Sequence, residues 1–117
     1  MDITPKSVLV YRTRDGRLPI AVMKAAVKFE NILKDHLSDP EQAARYLTAC
    51  YDEGPDVFLQ GLRDVVEAQG GMTRAARMAG LNRESLYRQL SRRGNPSLSS
   101  LNAVLDALGL KLRFAAG

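Results

Sequence analysis

The chain has 117 residues, 45% of them hydrophobic, a length that suits one domain with a short arm rather than two full domains. No stretch approaches the roughly 20 apolar residues of a membrane span, and the first residues lack a long apolar signal segment, so we expect no membrane association or secretion. Cys50 is the single cysteine, which excludes an internal disulfide and fits a reducing cytoplasm. We expect a cytoplasmic protein without a metal or other cofactor.

The formal net charge of +4 is unevenly distributed along the chain. Residues 70–95 hold six arginines and one acid, Glu84, whereas residues 35–69 hold eight acids and two arginines. Arginine has a planar guanidinium that binds phosphate or guanine through two hydrogen bonds. The arginine-rich segment therefore predicts a polyanionic partner, with a plain solvated face as the alternative.

The first 23 residues differ in pattern from the rest. Ser7–Thr13 is rich in β-forming residues, Asp15-Gly16 is typical of a hairpin turn, and Arg17–Met23 is suited to a return strand. We predict an N-terminal arm over residues 1–23 with a possible β-hairpin, followed by a helical domain over residues 24–117.

Helical spacing of apolar residues begins at Lys24. The arrangement expected is mainly α, a helix-turn-helix bundle of about five helices with the N-terminal β-hairpin arm and a short C-terminal strand. Alternating apolar and basic residues predict that strand over Leu110–Phe114. The helical segments expected are 24–37, 40–52 with Ser38 or Asp39 as the N-cap, 56–69, 74–79, 83–91, and one from Ser97 or Ser99 to Leu108.

Residues 72–95 carry the pattern of a helix-turn-helix. Thr73 is a candidate N-cap of a first short helix, whose small residues let a second helix cross closely. Gly80 suits a left-handed turn, and the apolar side chain of Leu81 is expected to be buried inside that turn. Asn82 is a candidate N-cap of the second helix, Arg83–Ser91. The remaining inward residues expected are Ala75, Ala76, Ala79, Leu86 and Leu90.

The outward face of the second helix predicts DNA recognition in the major groove. Arg83, Glu84 and Arg88 are the candidate base-reading residues, with Ser85 nearby, because arginine bonds guanine and glutamate accepts from cytosine. Candidate phosphate contacts are Thr73, Arg74, Tyr87, Arg92, Arg93 and Asn95.

Structural alternatives remain for several of these residues. Glu84 could simply pair with Arg88, Tyr87 could pack on the last helix, and Asn95 could only shape its turn. The whole segment could also be a purely structural helical hairpin.

The motifs RESLYRQLS, RGNPSLSSL and LDALGL, within a segment of about Lys34 to Leu112, resemble the helix-turn-helix antitoxins called addiction module antidote proteins. These belong to the λ-repressor-like (Xre/Cro) domains. The resemblance implies neutralisation of a partner toxin of the RelE/HigB-like group, which cleaves mRNA. It also implies repression of the shared operon by a homodimer on a palindromic operator, that is, on double-stranded DNA. The run MKAAVKFENILKDHL resembles the start of such antitoxins, so translation from Met23 is a hypothesis.

Two other function classes compete with the antitoxin. A stand-alone helix-turn-helix transcription regulator without a toxin would share the fold. An enzyme is disfavoured, because His36 is the single histidine and the sequence contains no P-loop, GxGxxG or Ser/His/Asp arrangement. The acids of the middle segment lack a metal-loop spacing; they are interpreted as a solvated face or a docking face for a basic toxin. Pairing of the Leu110–Phe114 edge across a two-fold axis would favour a dimer, and the hairpin of residues 7–22 could equally pair with this edge within one chain.

Overall fold

The computed structural model describes residues 20–117, and six α-helices follow one another in this range. They are α1 (Ile20–Leu37), α2 (Pro40–Glu53), α3 (Pro55–Ala68), α4 (Met72–Ala79), α5 (Arg83–Gln89) and α6 (Leu98–Ala107). The chain divides into two compact units, residues 1–33 and residues 34–117, and helices α2–α6 all lie in the second. The predicted division after residue 23 stays a prediction. None of the described helices has the length and apolarity to cross a bilayer.

The predicted β elements are wrong where the structure describes them, because residues 20–117 contain no strand. The expected return strand Arg17–Met23 is helical from Ile20 onward, and the rest of the expected hairpin lies outside the described residues. Leu110–Phe114 has no regular structure: Leu110 is buried, whereas the residues after it are exposed. Alternation alone makes no strand, since a strand needs a neighbouring strand to pair with.

Side-chain caps mark the starts of α2 and α6. The Asp39 Oδ1 atom accepts a hydrogen bond of 3.3 Å from the Glu41 amide, and Pro40 occupies the first turn of α2. Ser97 caps α6, since its Oγ accepts from the Ser100 amide at 3.1 Å. Of the predicted alternatives, Asp39 rather than Ser38 and Ser97 rather than Ser99 are the N-caps.

The core of residues 34–117 is aliphatic. Helix α2 packs on α3 at very short range, because a Cβ atom added to Gly61 would lie 2.7 Å from the Cys50 Sγ. Helix α4 contacts both α5 and α6, which joins the two helices of the predicted helix-turn-helix to the rest of the bundle. The largest fully buried side chains are Leu37, Leu62, Val65, Val66, Leu86, Leu90 and Val104.

Candidate nucleic-acid interface

The turn between α4 and α5 has the predicted geometry. Gly80 ends α4 with φ 68° and ψ 30°, a left-handed conformation that favours glycine. The Leu81 amide then donates to the Ala76 carbonyl at 2.8 Å, and the Leu81 side chain is half-buried. Ala75 and Ala76 are buried on the inner face of α4. These contacts hold two short helices together around a tight turn.

Helix α5 is anchored at its start and along its inner face. The Asn82 Oδ1 atom accepts from the Ser85 amide at 3.0 Å, which confirms Asn82 as the N-cap. Leu86 and Leu90 are both 0% exposed. The helix ends at Gln89 rather than at the predicted Ser91, whose hydroxyl donates to the Arg88 carbonyl at 2.7 Å.

The prediction that Thr73 caps α4 is wrong. The N-cap position is occupied by Gly71, with φ 92° and no side chain to accept a hydrogen bond, and α4 begins at Met72. The Gly70-Gly71 pair lets the chain turn straight from α3 into α4, so the helix starts two residues earlier than expected. Thr73 is instead an exposed residue of the first turn.

The candidate base-reading residues Arg83, Glu84 and Arg88 are all exposed on α5. Among the residues that the structure describes, neither Glu84 nor Arg88 has an ion-pair partner, so the alternative of a mutual pair is not realised. Ser85 is half-buried, and its Oγ accepts from Gln89 Nε2 at 3.1 Å. Three of the four side chains therefore remain available to a ligand, and Ser85 is partly engaged within the helix.

The candidate phosphate contacts lie around α5 on both sides. Tyr87 is 61% exposed, which argues against the alternative that it packs on the last helix. Arg92, Arg93 and Asn95 are exposed in the turn that follows α5. Arg74 is exposed as well, but its Nη1 donates to the Gln69 carbonyl at 2.5 Å. This hydrogen bond satisfies the carbonyl of the residue that caps the carboxyl end of α3.

Gly94 determines the path of this turn. A Cβ atom at Gly94 would overlap the backbone carbonyl of Gln89, so another residue cannot occupy the position without a backbone shift. The Gly94 amide donates to the Ser91 carbonyl at 2.7 Å. The backbone of the turn that carries Arg92 and Arg93 thus returns at Gly94 to the end of α5.

Sequence reasoning missed a chain of hydrogen bonds that reaches α5 from α2 and α3. Tyr46 Oη donates to Asp64 Oδ2 at 2.8 Å, and Gln60 Nε2 donates to Asp64 Oδ1 at 3.2 Å. Arg63 Nη2 donates to Gln60 Oε1 at 2.5 Å, and its Nη1 donates to the Leu90 carbonyl. We call these residues the polar chain; no spacing in the sequence indicates it, because its partners are as much as 27 residues apart.

The polar chain affects the titration of its first member. Burial of the Tyr46 ring raises the pKa of its hydroxyl well above the ordinary value of 10.0, and the charge of Asp64 and the hydrogen bond to it raise the pKa further. Tyr46 is therefore a neutral hydrogen-bond donor at physiological pH.

The acidic middle segment presents a solvent-facing surface. Asp52, Glu53 and Asp56 are exposed around the junction of α2 and α3. The described residues contain no group of three or more His, Cys, Asp or Glu side chains that could hold a metal ion.

An apolar groove lies beside this acidic surface, formed by α2, α3, α6 and the C-terminal residues. Its volume is about 500 Å³, and its walls include Leu47, Leu101 and Leu105. Tyr51, 66% exposed, meets Phe58 edge to face with ring centroids 5.6 Å apart. Phe114, which is 93% exposed, also lines the groove.

Comparison with known proteins identifies the family. Residues 26–116 match the family described as "Probable addiction module antidote protein". An uncharacterised protein of Haemophilus influenzae is 35% identical over 80 residues, which cover 68% of this chain and 81% of the relative. No solved structure matches the chain. The match takes in all of α2–α6, and the chain therefore belongs to the family of addiction module antidote proteins.

Proposed function

We propose that the protein is a DNA-binding antitoxin that neutralises a toxin and represses its own operon, with α5 as the helix that enters the major groove. The observation that carries the DNA-binding part is the exposed arginine surface of α5 and the turn after it, formed by Arg83, Arg88, Arg92 and Arg93. None of these guanidinium groups is ion-paired within the described residues. Unpaired arginines that project from a short, firmly anchored helix suit phosphate oxygens and guanine edges.

Within this proposal the side chains divide by role. Arg83, Glu84 and Arg88 contact base edges, and Ser85 has a lesser part because its hydroxyl is engaged with Gln89. The residues that position the protein on phosphates are Thr73, Arg74, Tyr87, Arg92, Arg93 and Asn95. A homodimer on a palindromic operator would place two copies of α5 about one helical turn apart.

The proposed toxin partner is a basic protein of the RelE/HigB-like group. Two surfaces support a partner of this kind: the exposed acids near the α2–α3 junction and the neighbouring groove with Tyr51. The groove offers apolar area to bury, and the exposed acids offer charge complementarity to a basic protein, although Lys111 and Arg113 also line the groove.

The DNA-binding proposal is tested with the variants Arg83→Ala and Arg88→Ala and a duplex of the region upstream of the gene. Each lost bidentate base contact should cost about 1–3 kcal/mol of operator binding and relax sequence preference. Arg92→Ala should weaken binding to every duplex alike and lower the salt slope by about 0.9 per lost phosphate contact. Arg45→Ala, an exposed arginine on α2, is the matched control and should bind as the wild type does. Unchanged binding in the Arg83/Arg88 double variant would place the DNA contact elsewhere.

The toxin proposal is tested by co-expression with the small basic reading frame that the proposal expects next to the gene. The wild type should restore growth and co-purify with its partner. Tyr51→Ala should weaken that complex and leave operator binding intact, whereas Tyr87→Ala, an equally exposed tyrosine on α5, should do the reverse. If co-expression fails to restore growth, the stand-alone regulator becomes the better account.

A further inference from the structure

We propose that Arg63 is a positioning residue for DNA recognition, acting on α5 through the backbone carbonyl of Leu90. The inference rests on the proposed DNA-binding function and deepens it. Arg63 lies on α3, outside the helix-turn-helix, and no feature of the sequence marks it as functional.

Helix α5 needs external support at its carboxyl end because it is short. It has seven residues, about two turns; the Leu86 and Arg88 carbonyls accept from the Leu90 and Ser91 amides, and the Leu90 carbonyl lies beyond the last turn. Its start is held by Asn82 and its inner face by Leu86 and Leu90. The Arg63 guanidinium supplies the missing contact, since Nη1 donates to the Leu90 carbonyl. A positive charge is also favourable at the carboxyl end of a helix.

The geometry of Arg63 separates it from the arginines that face DNA. Its side chain is half-buried, and two of its nitrogens donate to groups of the protein itself, the Leu90 carbonyl and Gln60 Oε1. Arg88 and Arg92, by contrast, are exposed. Arg63 therefore acts on DNA through α5 rather than by touching a phosphate.

The rest of the polar chain fixes the guanidinium in place. Gln60 holds Arg63 Nη2 and donates in turn to Asp64, which also accepts from the Tyr46 hydroxyl. Each amide or carboxylate of the chain thus has partners on both sides. A planar guanidinium held in this way can set the direction of α5 more firmly than a flexible lysine could.

The test compares wild type with Arg63→Met and Arg63→Lys on two duplexes, the region upstream of the gene and a scrambled sequence of equal length. Arg63→Met keeps the length of the side chain and removes every donor. We expect operator affinity to fall by about tenfold with affinity for the scrambled duplex little changed, so that discrimination shrinks. The salt slope should stay at the wild-type value, because no phosphate contact is lost. Arg63→Lys, which can still bond the Leu90 carbonyl, should restore part of the discrimination.

Two further measurements distinguish positioning from a loss of folding. The amide ¹⁵N resonance of Ser91, which follows the Leu90 carbonyl, should shift in Arg63→Met while amides in α2 stay in place. Tyr46→Phe, at the far end of the polar chain, should give a smaller loss of discrimination in the same direction. All binding is measured at a temperature at which thermal denaturation shows every variant folded.

Each contrary result has a defined meaning. Undiminished discrimination in Arg63→Met overturns the proposal, as does a salt slope lowered by one phosphate contact, which would make Arg63 a direct contact. An affinity loss that matches the unfolded fraction also overturns it. If the wild type itself does not prefer the upstream duplex, the proposed DNA-binding function fails, and the Ser91 resonance still reports whether Arg63 holds α5.

Discussion

Two glycines flank α5, and each is needed for a different reason. Gly80 has a left-handed φ of 68° and nothing near its missing side chain, whereas Gly94 would drive a Cβ into the Gln89 carbonyl. The first requirement is conformational and the second is steric. Strain in φ can be tolerated at moderate cost, but an overlap with backbone must be relieved by moving the backbone.

Substitution of the two glycines should therefore have unequal effects. Gly80→Ala is expected to lower the free energy of unfolding by about 1–2 kcal/mol, the cost of a left-handed residue with a side chain. Gly94→Ala should cost more and should also displace Arg92 and Arg93, so that DNA binding falls further than stability explains. Urea denaturation and DNA titration of both variants measure this; equal effects at the two positions would contradict it.

For single residues, the sequence predicted the hydrogen-bonding role of side chains whose partners are close in the chain, but not of those whose partners are distant. Asn82 and Ser97 bond to amides three residues ahead, a relation that sequence spacing contains. Arg63 donates to the Leu90 carbonyl, and Gln89 Oε1 accepts from the Ser97 amide at 3.4 Å, so their roles depend on tertiary packing. Thr73 was predicted as a cap and is not one, because Gly71 turns the chain before Thr73 is reached.

Between elements, the α2–α3 pair shows how tightly this bundle is built. Gly61 faces Cys50 and Leu47 at a distance that leaves no room for a methyl group. Glycine inside a helix is normally unfavourable by about 1 kcal/mol relative to alanine, so the close approach must compensate for that cost.

Gly61→Ala should consequently destabilise the protein in spite of its better helix propensity. We expect a net loss of about 1–3 kcal/mol from overpacking. The loss should be smaller in a Cys50→Ala background, where the sulfur atom is absent. A double-mutant cycle by chemical denaturation measures the coupling. Strictly additive effects would show that the two residues do not constrain each other.

Helix order and helix ends followed well from apolar spacing and turn residues, but the β elements did not. The run Leu110–Phe114 alternates as a half-buried strand does, and in the fold only Leu110 is buried. Alternation describes which residues could share a face; it does not supply the neighbouring strand. Residues 20–23 were likewise predicted as strand from their propensity, but they form the start of the helix that begins at Ile20.

In the molecule as a whole, the polar chain should make the free energy of unfolding decrease at alkaline pH. The unfolded tyrosine loses its proton near its ordinary pKa of 10.0, whereas folding raises the pKa of Tyr46 through burial and Asp64. The native state therefore binds more protons above that pH, and stability falls as the pH rises. Relative to Tyr46→Phe, the wild type should show an extra downward slope of at most about one bound proton. Denaturation from pH 8 to 11 measures it; parallel curves would contradict the expectation.

The charge distribution could be predicted from the sequence, whereas the apolar groove could not. Six arginines within residues 70–95 predicted a polyanion-binding segment. The groove joins residues from Ala44 to Phe114, and its walls exist only once α2, α3 and α6 pack together. Local patterns therefore indicated the candidate DNA face, while the second surface depended on the complete bundle.

The contact of Cys50 with Gly61 also makes the thiol a probe of how often α2 and α3 separate. The only thiol is sealed between two helices, with 5% of its surface exposed, and a labelling reagent can reach it only when α2 and α3 separate. The labelling rate thus counts openings of this helix pair in the unmodified protein. Added DNA should slow labelling only if DNA binding at α5 also stabilises the packing of α2 on α3. A partner bound in the groove should slow labelling directly.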